Sequence, residues 1–215
     1  MKPWAVERCK AIGCGEGSPP GRAKDETADP MLASCAQLGI PRLLNHSSPF
    51  EIFQVPGRVL MFFEMGSALR QIWTDGRGHP DDPDPTWFGH SIGHWDGDTL
   101  VVDTIGLTDK TWLDTSGHPH SDALHLVERY RRPDQNTLVN EITFDDPKTY
   151  TKPWKSKVVY QLRADWEMRE NFMCEDQVLM DLKAKKDKIY PHQPYPMVFP
   201  AVTIPLPPAP SGGQE

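Results

Sequence analysis

The chain has 215 residues, long enough for one sizeable core, and 22 of them are proline, which excludes long uninterrupted helices over much of its length. Its formal net charge is −7, and no Lys/Arg stripe is interleaved with aromatics, so its field repels a phosphate backbone and argues against a nucleic-acid partner. No apolar run nears the roughly 20 residues of a membrane span. Met1–Lys10 has neither an apolar leader core nor a cleavage-site pattern. The expectation is a chain without a membrane span, its compartment open between the cytoplasm and an exported protein whose leader has been removed.

Residues 1–49 mix Gly, Pro, Ser and charges without sustained periodicity, apart from a helical turn expected near Trp4–Lys10, and read as an irregular arm packing on a core. From Phe50 the pattern changes to short runs rich in Val, Ile, Phe, Tyr and Thr, separated by turn chemistries such as Pro56-Gly57 and Asp96-Gly97-Asp98. These runs predict strands at 50–55, 59–64, 68–74, 92–95, 99–104, 124–131, 137–144, 156–163 and 167–173. Hairpin-length links join most of them, which predicts a mainly β fold: an antiparallel up-and-down β-barrel of calycin or lipocalin type over 50–188, with a two-sheet sandwich as the alternative. A short C-terminal helix is expected at 176–188, and 189–215 is a Pro-rich tail.

Cys9 and Cys14 are too far apart in sequence for a CxxC pair, so a zinc ribbon is not supported. Cys35 and Cys174 flank the expected core. A disulfide there would tie the arm to the last strand in an oxidising compartment; two buried thiols acting as small hydrophobes is the other reading. No GxGxxG, P-loop, HExxH or GxSxG pattern occurs, so no cofactor is expected.

Strand alternation sorts the ionisable residues, because residues two apart share a face. In 124–130, Leu124, Leu126, Glu128 and Tyr130 share one face, which directs Glu128 into the barrel. Asn140 and Glu170 are inward by the same count, and Asp103 shares a face with Thr99 and Val101. An inward carboxylate is costly unless paired or protonated, which suits it to proton transfer; the alternative is a structural bridge to an inward Arg such as Arg70. The segment Leu107–Asp122 reads as a lid over the barrel mouth. His120 is its best proton shuttle, because imidazole titrates nearest neutral pH, and Asp114 is placed to orient it, unless both only order the loop through backbone hydrogen bonds. His118, His120, His90 and His94 also permit a metal-site reading, but scattered histidines produce such pairs by chance and no metal is assigned. The acidic stretch Asp75–Pro85 reads as a solvated turn. Trp73, Trp87, Trp95 and Trp112 read as core or barrel-mouth packing around an apolar cavity.

Several of these segments carry a resemblance: IWTDGR at 72–77, PTWFGHSIGHWDGDTLVVDT at 85–104, DKTWLDTSGHPHS at 109–121, and Glu128–Arg129. Over roughly 35–175 the chain resembles a widespread, largely uncharacterised family of bacterial proteins that often carry an export leader. That resemblance implies a compact β-barrel domain. In size and type the chain is also distantly similar to α-pinene oxide lyase, a small bacterial enzyme that opens a terpene epoxide without a cofactor, which implies a class of chemistry only.

The expected function is a cofactor-independent lyase or isomerase acting on a small hydrophobic molecule inside the barrel, a terpene epoxide being one case. His120 would move the proton and Asp114 orient it. Asp103 and Glu128 would supply a second acid/base or stabilise a cation, while Arg70, Trp73, Trp95, Trp112 and Tyr130 would line the substrate site. The alternatives are a lipocalin-like binding protein without chemistry and a metal-dependent hydrolase.

Overall fold

The computed structural model describes residues 1–17 and 21–171. Within them the chain is mainly β, with eight strands in one curled sheet that forms a half-barrel. The strands are β1 (Phe50–Val55), β2 (Arg58–Phe63), β3 (Ala68–Trp73), β4 (His90–Asp96), β5 (Thr99–Ile105), β6 (His125–Arg131), β7 (Thr137–Asp145) and β8 (Trp154–Gln161). They lie side by side in chain order.

Local chemistry explains the pattern. Pro56-Gly57 turns β1 into β2, with Gly57 at φ +76°, a conformation its missing Cβ makes cheap and that follows Pro in a type II turn. In β6 burial alternates, so Leu126, Glu128 and Tyr130 are buried while Arg129 and Arg131 are exposed. The same face continues through Leu100, Val102 and Thr104 of β5 and Asn140, Ile142 and Phe144 of β7, by register. Val59, Met61, Phe63 and Ile72 complete the core from β2 and β3.

Two features depart from the expected meander. β3 and β4 run parallel, joined by the crossover 74–89, and share only Ile72↔Ser91 and Trp73↔Ile92. The close approach needs Gly93: a Cβ there would stand 2.9 Å from Ile72 Cγ2. The second departure is at the end of the sheet. No strand forms over 162–171, so Glu170 is exposed rather than inward and the ninth strand is absent among the described residues. β1 and β8 are therefore the two edges of the sheet, and side chains approach across the gap, with the Phe50 and Tyr160 rings edge-to-face at 4.9 Å. The sequence pattern does not show this, because Met168, Glu170 and Phe172 alternate as a strand would, yet an isolated edge strand has no intrinsic stability without a partner.

The arm contains α1 (Pro3–Ile12) and α2 (Pro30–Ser34). Leu38, Ile40, Leu43 and Leu44 carry it into the main core, together with Leu107, Leu113 and Leu124. The segment expected to be a lid is thus a packed plug: Trp112 and Leu113 are buried, and main-chain bonds from Gly15 to Ser116 and from Ala23 to Thr115 sew it to the arm. Cys9 and Cys14 are joined by a disulfide at the end of α1, a pairing the sequence reading did not make. Cys174, the helix expected at 176–188 and the tail 189–215 lie outside the described residues.

The arm is pinned by a buried bidentate pair, Arg42 Nη1 to Asp29 Oδ1 at 2.7 Å and Nη2 to Oδ2 at 2.6 Å. Asp29 also caps α2 by accepting from the Met31 N–H. Asp29→Asn is expected to lower stability by about 3 kcal/mol, since it leaves a buried guanidinium without its counter-charge. Urea unfolding at neutral pH reads this as a shifted midpoint with an unchanged slope.

Candidate functional site: a cavity at the sheet opening

Where β1 and β8 fail to pair, a cavity of about 1070 Å³ opens on the inner face of the sheet. Its walls come from both sides of the β3–β4 junction: Ile52, Val59, Met61 and Ile72 from β1 to β3, and Leu100, Tyr130, Leu138, Val158 and Tyr160 from β5 to β8. The volume suits a small organic guest, and the lining is mostly aliphatic and aromatic. His46, Arg132, Arg163 and Glu51 also border it. Burial, with the positive charge of Arg42 and Arg22 nearby, lowers the His46 pKa and favours the neutral ring.

Of the expected substrate-contacting residues, Tyr130 and Trp95 line this cavity. Trp73 and Trp112 do not. Trp73 carries the Arg77 guanidinium 3.7 Å above its ring, and Trp112 is buried under Arg42.

Behind Tyr130 lies a buried polar knot. Arg70 and Glu128 are both fully buried and ion-paired, as the structural reading of the sequence required. Arg70 also donates to Ser91 Oγ and Thr104 Oγ1, while Glu128 Oε1 accepts from the Tyr130 hydroxyl at 2.6 Å and from Asn140 Nδ2 at 3.4 Å. Burial opposes the Arg70 charge, but the adjacent Glu128 carboxylate more than offsets it and the guanidinium pKa rises. Burial, followed by Glu128, pushes the Tyr130 phenol well up, so it stays protonated. Neither charge of this knot lines the cavity.

The remaining expected catalytic groups stand elsewhere. Asp114 does not orient His120. Its Oδ2 accepts from His118 Nδ1 at 2.8 Å, a bond that raises the His118 pKa, and its Oδ1 accepts backbone N–H groups of Ser116 and His118. A carboxylate four residues before an imidazole reaches it within one turn, whereas His120 is engaged with Thr111 and the Ser121 carbonyl. His120 is buried, with Nδ1 donating to the Ser121 carbonyl at 3.2 Å and Nε2 accepting from the Thr111 hydroxyl at 2.6 Å. Burial lowers its pKa, and both ring nitrogens are engaged. None of Asp103, Asp114, His120 and Glu128 lines the cavity, so the expected meeting of these groups around a guest does not occur.

Asp103 faces outward. Its Oδ1 accepts from His79 Nε2 and His125 Nε2, each at 2.9 Å, and His79 Nδ1 lies 2.9 Å from His90 Nδ1. His79 went unnoticed in the acidic crossover, where it looks like one more solvated turn residue. The four histidines of the metal reading are dispersed: His118 is on Asp114, His120 on Thr111, His90 on His79, and His94 is exposed. Among the described residues no three His, Cys, Asp or Glu side chains are grouped to hold a metal ion, and no helix is long and apolar enough to cross a membrane.

Comparison of the chain with models of protein families, with curated proteins and with solved structures finds no match.

Proposed function

We propose that this protein binds a small, predominantly apolar molecule in the cavity between β1 and β8, in the manner of a lipocalin-like carrier. The observation that carries the reading is the cavity itself: about 1070 Å³, walled mainly by aliphatic and aromatic side chains on a β scaffold, with polar and charged residues among its lining. A lyase or isomerase needs an acid within hydrogen-bond reach of its guest. The carboxylates that border the cavity, Glu51, Asp98 and Glu167, are solvent-exposed, and the buried carboxylate behind Tyr130, Glu128, is committed to Arg70, Tyr130 and Asn140. The resemblance to a bacterial β-barrel family implies the scaffold only, and the more distant one to a terpene-epoxide lyase implies a class of chemistry that acts on apolar molecules.

The test is fluorescence titration with N-phenyl-1-naphthylamine, a neutral apolar probe that brightens on leaving water, alongside mass spectrometry of solvent extracts from the purified protein. One saturable probe site, displaced by the extracted molecule, is the expected result. Absence of saturable brightening overturns the proposal. Ring-opened product from α-pinene oxide, lost in Tyr130→Phe, would replace it with catalysis, the phenol being a polar hydrogen on the cavity wall bonded to a buried carboxylate.

A further inference from the structure

The single parallel step between β3 and β4 sets the direction of the two edges. Through that step and the antiparallel pairings on either side of it, β8 runs in the same direction as β1. A segment lying between them in the opposite direction is therefore antiparallel to both. Each edge carries main-chain N–H and C=O groups without a sheet partner, and Ile52, Phe53 and Val159 leave apolar surface exposed at the opening.

Residues 162–171 run in that opposite direction. Leu162 is fixed at the end of β8, its N–H donating to the Asn136 carbonyl at 2.8 Å, and a turn follows in which the Trp166 N–H donates to the Arg163 carbonyl at 3.0 Å. The chain then returns to the β2–β3 turn. There the Arg169 N–H donates to Glu64 Oε2 at 2.9 Å and Ser67 Oγ donates to the Asn171 carbonyl at 3.5 Å. Phe63, next to Glu64, is opposite Phe50 in register, so this second anchor stands at the level where β1 begins. Between the anchors, Arg163, Ala164, Trp166, Glu167 and Met168 border the cavity. Their main chain bonds to neither β1 nor β8, and Trp166 is 52 % exposed.

We propose that residues 162–168 are a strap that closes over the guest, pairing its main chain with the unpaired edge groups beside it and laying the Trp166 ring on the bound molecule. The proposal rests on the ligand-binding reading above. In the empty protein closure orders the segment and covers only water, so it returns little. A guest gives the indole apolar surface to cover, and once water leaves the opening the edge groups need the strap as their partner. The anchors lower the entropic cost, since a short segment tied at both ends has less freedom to lose than a free one. Binding therefore favours the closed strap, because the guest contacts it only in that state.

The experiment follows hydrogen exchange of the Ala164, Glu167 and Met168 amides in the full chain, with and without N-phenyl-1-naphthylamine. Stopped-flow measurement gives the probe's dissociation rate from wild type, Glu167→Pro and Trp166→Ala. Expected are amides that exchange fast in the empty protein and at least about tenfold more slowly with the probe bound. Dissociation should be on the order of tenfold faster from each variant, because proline removes an N–H needed for pairing and alanine removes the covering ring. Urea midpoints of the empty variants should match the wild type, since the strap bonds to neither edge there. Saturable binding that leaves the strap amides unchanged overturns the strap and leaves the cavity reading intact. So does slow exchange before the probe is added, or unaltered dissociation from either variant. No saturable binding overturns both. If a variant does not fold, the wild-type exchange still decides.

Discussion

Glu128→Gln is expected to cost about 3–5 kcal/mol of folding stability, among the largest effects of any single substitution in this chain. The reason is the state of Arg70, which is 0 % exposed and, among the described residues, has no acidic partner other than Glu128 on its guanidinium: Ser91 and Thr104 supply neutral oxygens only. Removing the carboxylate charge leaves a cation desolvated and uncompensated, and the amide that replaces it adds donors beside Arg70 that have nowhere to go. Arg70→Met should cost a similar amount through the stranded carboxylate. The double variant Arg70→Met/Glu128→Leu should lose less than either single one, because a buried pair replaced by apolar groups of similar volume no longer carries the desolvation cost. Urea midpoints of the four proteins test this cycle. The exposed Arg129–Asp96 pair provides the contrast, and breaking it with Asp96→Asn should leave the midpoint unchanged.

Ile52→Lys is expected to weaken probe binding by at least about tenfold while leaving the unfolding midpoint nearly unchanged. Ile52 lies on β1, lines the cavity and is already 40 % exposed, so a lysine there forfeits little burial in the empty protein. A guest, however, would cover its stem and compete with the hydration of its ammonium. Parallel titration and urea unfolding separate the two effects. Equal affinity in wild type and variant would place the guest elsewhere than between β1 and β8.

Much of the architecture was legible in the chain. Eight of the expected strands form, and the alternation in Leu124–Tyr130 directed Glu128 inward and named Arg70 as its structural partner, because a period of two decides which face a residue occupies whatever the strand's neighbours. The parallel β3–β4 step was not legible. A crossover of this length can return the chain to either sense, and the parallel pairing depends on Gly93 letting β4 close on Ile72. The candidate site was read less well for the same reason. Asp114 and His120 sit close in sequence, but the turn at Gly117 aims His118 at the carboxylate and buries His120 against Thr111. His79 and Asp103 lie far apart along the chain, and only the crossover brings them into contact.

The sequence by itself determined eight of the nine strand runs, their turns and the inward sense of residues such as Glu128 and Asn140, since these follow from local dihedral preference and hydrophobic period. Tertiary structure alone decided that the sheet stays open between β1 and β8, that the opening is the apolar cavity, and that the ionisable groups divide among a buried ion pair, an outer histidine cluster and the arm-side plug. Which side chains meet is set by long-range pairing, and that depends on how well whole surfaces pack rather than on any residue's own preference.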